Sequence, residues 1–175
     1  MNLDFPKISK IEINGLNFDE RKKIENIIYD SNFKNIFHLD KEYLKKKINS
    51  INIIEQFEIF KKYPSTLKIF IEKTKILAQT KRNGLDYLIG SNGKLIENKD
   101  FILELPFIFG DLDIPEFLEL KRKIDSSLFE FDKISNLYLY KSNRWDIETR
   151  NGNLIKLPKN NIKEILNLYV RMSNE

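Results

Sequence analysis

Phe57-Glu58-Ile59-Phe60-Lys61-Lys62-Tyr63-Pro64-Ser65-Thr66-Leu67-Lys68-Ile69-Phe70-Ile71-Glu72 decides the fold class. Phe57 and Ile59 alternate with Glu58, and Leu67, Ile69 and Ile71 alternate with Lys68, Phe70 and Glu72. Period-2 alternation places one face of a strand in a core and the other in water. Tyr63 to Thr66, with its proline and serine, turns the chain between the two runs. Upstream, Ile8 to Ile13 alternates in the same way and stops at Asn14-Gly15, a pair suited to a positive-φ turn. Two helices fill the gap. Asn17 with Glu20 makes a capping-box spacing, followed by a stripe of Ile24, Ile27 and Ile28. Asp40 caps the second, whose stripe is Leu44, Ile48 and Ile51. The order β-α-α-β-β predicts two helices on one face of a three-stranded sheet, ending near Lys73.

Beyond Lys73 the pattern changes. Short strand-like runs (Ile76 to Lys81, Leu85 to Ile89, Lys94 to Glu97) are separated by Asn83-Gly84 and Asn92-Gly93 turns. A helix is predicted from Asp113, with Pro115 in its first turn and Glu116 at capping-box spacing. It buries Phe117, Leu120, Ile124 and Leu128. Strands return at Leu137 to Tyr140, Trp145 to Thr149 and Leu154 to Leu157, and a last helix opens at Pro158 with Ile162, Ile165, Leu166 and Tyr169 inward. The class is α+β: a β-α-α-β-β unit over 1–73, then an antiparallel β-rich domain with flanking helices over 74–175.

Composition narrows the function. The 175 residues are 41% hydrophobic and 32% charged, which is globular. No run approaches the roughly 18 apolar residues of a membrane span, and the first residues lack the features of a signal peptide. Thirty Lys and Arg against 26 Asp and Glu give +4, thinly spread. Lys45-Lys46-Lys47 and Lys121-Arg122-Lys123 read as solvated helix faces before they read as a nucleic-acid patch. The absence of cysteine removes disulfides, thiolate metal sites and thiol nucleophiles.

Chemistry finds little footing. His38 is the sole histidine, too few for a metal or triad constellation. Asp111 and Asp113 are spaced as a carboxylate pair, but Asp113 is already assigned as a cap. Tyr138 and Tyr140 have the look of a stacking platform for nucleic acid, but the nearby apolar positions explain them as a strand with one face packed. Four of the six glycines follow asparagine (Gly15, Gly84, Gly93, Gly152), so glycine serves turns and not phosphate loops. No catalytic, cofactor or metal site is expected. A sheet edge, which binds by backbone and leaves no motif, is the remaining opportunity.

Several segments resemble the FtsQ/DivIB cell-division family in collinear order from about residue 6 to 170. Pro6 to Gly15 looks like the opening strand of its POTRA domain, and Ile53 to Ile69 like its strand, basic-aromatic-Pro turn and strand. Ile76-Leu77-Ala78-Gln79 and Tyr87-Leu88-Ile89 with Asn92-Gly93 are similar to the first β-domain hairpin. Leu105-Pro106-Phe107-Ile108-Phe109-Gly110 is similar to a Leu-Pro-x-x-x-Gly element, and Arg144 to Ile147 and Leu154 to Leu157 resemble later strands. The resemblance implies an extracytoplasmic scaffold on the periplasmic side of the inner membrane, anchored by one upstream helix missing from this sequence. It implies FtsB and FtsL as partners, with FtsW and FtsK beyond them, and no small-molecule substrate. The family continues into a final strand that pairs with FtsB. Without it, this chain is expected to bind an FtsB peptide poorly through the neighbouring Ser142, Asn143, Arg144, Lys163, Asn167 and Tyr169. A sheet edge at Leu67, Ile69 and Ile71 is the other expected surface. The competing readings are a POTRA-bearing export or outer-membrane assembly factor and a basic nucleic-acid-binding module.

Overall fold

In the computed structural model, which describes residues 8–30, 36–37, 39–98, 102 and 104–173, the chain divides into two compact units, Met1–Lys75 and Ile76–Glu175. His38 and the loop residues Asn32 and Asn35 lie outside the described residues.

The first unit runs β1 (Lys10–Asn14), α1 (Phe18–Asp30), α2 (Lys41–Asn49), β2 (Ile54–Lys62) and β3 (Thr66–Lys73). The capping box forms in both directions: the Asn17 N–H donates to Glu20 Oε2 (3.0 Å) and the Glu20 N–H to Asn17 Oδ1 (2.9 Å). Asp40 Oδ1 accepts from the Glu42 and Tyr43 N–H groups at 2.9 and 3.1 Å. Each helix then presents its stripe to the sheet, so that Ile24, Ile28, Leu44 and Ile48 share a core with Ile13, Ile54, Leu67, Ile69 and Ile71. The strand order is β1-β3-β2, with β1 parallel and β2 antiparallel to β3. This order corrects one expectation. Leu67, Ile69 and Ile71 belong to the central strand and are 0%, 0% and 6% exposed. Leu67 and Ile69 have register partners on both sides. Beyond the end of β1, Gly15 lies against the carbonyl of Ile71: at φ +93°, a Cβ on it would stand 1.8 Å from that oxygen. The free edges of this sheet are β1 and β2.

The second unit holds β4 (Ile76–Arg82), β5 (Leu85–Gly90), β6 (Leu95–Asn98), β7 (Phe107–Phe109), α3 (Ile114–Asp125), a 3-10 turn (Phe131–Lys133), β8 (Ile134–Leu139), β9 (Trp145–Thr149), β10 (Leu154–Lys156) and α4 (Ile162–Ser173). They form one sheet in the order β10-β9-β8-β7-β4-β5-β6. Two antiparallel meanders flank the three-residue β7, which runs parallel to both β4 and β8. The sheet is therefore mixed and not wholly antiparallel. Helix α3 makes the crossover that a parallel β7–β8 pair requires. Gln79, 4% exposed, anchors the approach to β7: its amide donates to the Ile102 and Leu105 carbonyls (2.7 and 3.0 Å) and accepts the Ile102 N–H (3.1 Å).

Both helices pack on one face, where Phe117, Leu120, Ile124, Ile162 and Leu166 meet Ile108, Leu137, Ile147 and Ile155. Three details depart from the sequence reading. Asp113 caps α3 without a side-chain bond, and Glu116 instead accepts the Trp145 indole N–H at 3.1 Å. The helix stops at Asp125, which leaves Leu128 57% exposed and puts Phe129 in the core. Helix α4 starts at Ile162 and not at Pro158, after Asn161 at φ 60°.

Candidate functional site

A sheet edge is defined by which backbone groups lack a partner, and β10 can be resolved to individual residues. It pairs only with β9, Leu154 opposite Glu148, Ile155 opposite Ile147 and Lys156 opposite Asp146. The bonds flanking this register, Thr149 N–H to Asn153 O (2.9 Å) and Leu157 N–H to Trp145 O (3.0 Å), fix its phase. Antiparallel pairs alternate between bonded and non-bonded, so Ile155 exchanges its bonds with Ile147. Leu154 and Lys156 then direct their N–H and C=O groups away from the sheet. Both are exposed, Leu154 at 52%.

Helix α4 runs over the same end of the sheet. One flank faces the segment that follows α3, where Asn167 Oδ1 accepts the Leu128 N–H at 2.7 Å. The other carries Ile165, Leu168, Tyr169 and Met172 at the i, i+3, i+4, i+7 spacing of a single stripe. Within that stripe Tyr169 meets the β9–β10 turn: its hydroxyl accepts from Asn153 Nδ2 at 2.9 Å, and its ring lies 5.9 Å from that of Phe129. Leu168 and Met172 remain 53% and 68% exposed. An unpaired edge thus lies beside an uncovered apolar flank.

The six residues expected from the sequence do not form one patch. Ser142, Asn143 and Arg144 make the β8–β9 turn, with Asn143 at φ 56°. Arg144 grips the buried Asp146 with two bonds, at 3.1 and 3.2 Å, and lies 4.6 Å over the Tyr140 ring. This turn borders a cleft of about 310 Å3 with Trp145, Pro158 and Ile162. Tyr169 stands at the opposite end of β9, by the β9–β10 turn, in a cavity of about 660 Å3. Lys163, in the first turn of α4, lines neither. The residues that carry the edge, Leu154 and Lys156, escaped the sequence reading because an edge strand and an interior strand use the same alternation.

Of the two tyrosines, Tyr138 on β8 is engaged within the sheet, while Tyr140 follows the strand and is 43% exposed. Tyr138 stacks on Phe109 (5.1 Å between centroids, 10° between planes) and donates its hydroxyl to Glu148 at 2.6 Å. That bond and one from Asn136 hold the Glu148 carboxyl below its usual range, and the same pairing raises the phenol of Tyr138. Asp111 and Asp113 are both exposed. Among the described residues no three acidic or histidine side chains gather as a metal site would need.

Known proteins resemble the chain along both units. The C-terminal domain of cell division protein FtsQ/DivIB matches residues 78–175, and the FtsQ-type POTRA domain matches residues 7–73. Cell division protein DivIB of Bacillus subtilis is 28% identical over 94 residues, 53% of this chain and 36% of that protein. DivIB of Staphylococcus aureus is 28% identical over 94 residues, 54% of this chain and 21% of that protein. The matched region thus takes in about a third or less of the length of these relatives. The major extracytoplasmic domain of DivIB from Geobacillus stearothermophilus superposes with a TM-score of 0.44 at 12% identity, covering 58% of this chain and 92% of that domain.

Proposed function

The chain belongs to the FtsQ/DivIB family of cell-division proteins, and from that premise we propose that it is a non-catalytic extracytoplasmic scaffold that binds FtsB, and with it FtsL, by strand addition at β10, in place of the poor binding expected from the sequence, because β10 itself offers an open edge. FtsW and FtsK are further partners of the assembly, and a membrane anchor belongs to the whole protein. No helix among the described residues is long and apolar enough to cross a membrane. The observation that carries the reading is the outward N–H and C=O of Leu154 and Lys156 beside the exposed Leu168 and Met172. A partner strand along β10 satisfies those backbone groups, each bond contributing about 0.5–1.5 kcal/mol net. Its side chains on the helix-bearing face meet the apolar flank of α4, and burial there adds roughly 25 cal/mol per Å2.

The proposal is tested by Lys156→Pro. Proline at 156 removes an outward donor and crowds the added strand, while the bonded pair at Ile155 stays intact. Calorimetry with an extracytoplasmic fragment of FtsB is expected to show binding weaker by about tenfold or more, with the thermal transition close to that of the parent. Unchanged affinity in a folded variant would place the contact away from β10.

A further inference from the structure

We propose that the cavity of about 660 Å3 between the β9–β10 turn and the C-terminal half of α4 takes a lysine or arginine side chain of the bound partner. The inference rests on the reading above only in taking the partner to run along β10, whose first residues lie next to this cavity. Its size falls within the roughly 300–1,000 Å3 of ligand clefts. Phe129, Tyr169 and Val170 line it with apolar surface, and Phe129 is 4% exposed. Its charged lining is Glu104, Glu130, Asp132, Lys133 and Arg150.

The two bases are already committed. Lys133 lies 3.1 Å from Glu130. Arg150 donates its Nε–H to the Asp132 carbonyl and an Nη2–H to the Glu104 carbonyl, both at 2.6 Å, and its backbone N–H to the Lys133 carbonyl at 2.8 Å. Arg150 thereby ties Glu104 and Asp132 side by side, while its bonds go to their backbones. Neither carboxylate has an ion-pair partner among the described residues. Three acids against two bases leave this corner formally at −1 in a chain whose net charge is +4.

An apolar wall ending in unpaired carboxylates suits a side chain with an aliphatic stem and a cationic head. The stem lies along Phe129 and Val170, the head reaches Glu104 and Asp132, and the Tyr169 ring offers a cation–π face. An acidic side chain meets the two carboxylates instead, and a purely apolar one leaves them unpaired.

The test uses the full chain and Nα-acetyl-arginine methylamide, with the norleucine and glutamate analogues as comparators, followed by NMR. The arginine probe is expected to move the Thr149 amide and Val170 methyl resonances saturably, in the millimolar range. Glu104→Gln with Asp132→Asn should weaken it by about fivefold or more, from about two- to fivefold per carboxylate. These variants spare the backbone carbonyls that Arg150 uses, so the turn stays in place. Equal or tighter binding of norleucine would make the cavity merely apolar, and preference for glutamate would assign it to Arg150. Absence of any saturable shift, or indifference to the double variant, would also overturn the proposal. The strand reading is scored separately, from the Leu154 and Lys156 amides with the FtsB fragment, so either can fail alone.

Discussion

Strands β3 and β10 carry the same kind of pattern, apolar residues alternating with polar or exposed ones, and meet opposite fates. In β3, Leu67 and Ile69 have strand neighbours on both sides and are wholly buried. In β10, Ile155 is buried and bonded while Leu154 and Lys156 turn their backbone groups outward. Side-chain alternation reports only which face of a strand meets a core. Lateral position comes from topology, here from the parallel docking of β1 beside β3 and from β10 being the last strand of its meander. The proposed strand addition therefore finds an open edge at β10 and none at Leu67, Ile69 and Ile71.

The contrast can be broken most forcefully in the core. Ile69→Ala deletes a fully buried side chain flanked by two strands and should cost about 2–5 kcal/mol in chemical denaturation. Loss of under half a kcal/mol would mean that β3 is not the centre of its sheet. Next comes a pair of prolines within β10. Ile155→Pro orphans the Ile147 carbonyl and should lose roughly 1–3 kcal/mol, whereas Lys156→Pro removes only an outward donor and should stay within about 1 kcal/mol. Equal costs would show that the phase of the β9–β10 ladder is misassigned. Leu154→Ala, at a side chain half exposed, should shift stability by less than about 0.5 kcal/mol.

The smallest effect lies on the solvent face of the first sheet. Glu12 accepts from Lys10 (2.7 Å) and Lys68 (2.8 Å), and those hydrogen bonds lower its pKa from 4.5 to about 2. A folded pKa below the unfolded one gives stability that is present above about pH 4.5 and lost as pH falls toward 2. Denaturation of the parent and Glu12→Gln should differ slightly at neutral pH and converge near pH 2. A difference that grows on acidification would contradict the ion-pair account. Because the site is open to solvent, added salt should shrink the gap as well.

The first unit was largely legible because its signals are local. Asn17 with Glu20, and Asp40 with its own helix, bond within a few residues, so spacing alone finds them. The second unit hides more because its decisive contacts are distant. Glu116 has the spacing of a capping box but is taken by Trp145, 29 residues away. Phe107–Phe109 is too short to show alternation and becomes a strand only because β4 and β8 hold it from both sides. Leu128 follows the helical period, yet the helix ends at Asp125, and Phe129 fills the core instead. Of the candidate surface, Tyr169 is readable as part of an amphipathic stripe. Arg150, whose three bonds hold Lys133, Asp132 and Glu104 together, carries no motif at all.

Backbone amide hydrogen exchange reads directly which edge receives the partner. Exchange of the full chain is compared alone and saturated with the extracytoplasmic FtsB fragment. Strand addition at β10 predicts that Leu154 and Lys156 gain strong protection while Ile155, already bonded to β9, changes little. A complex that forms with Leu154 and Lys156 still exchanging freely, and with protection appearing on β1, β2 or β6, would contradict it.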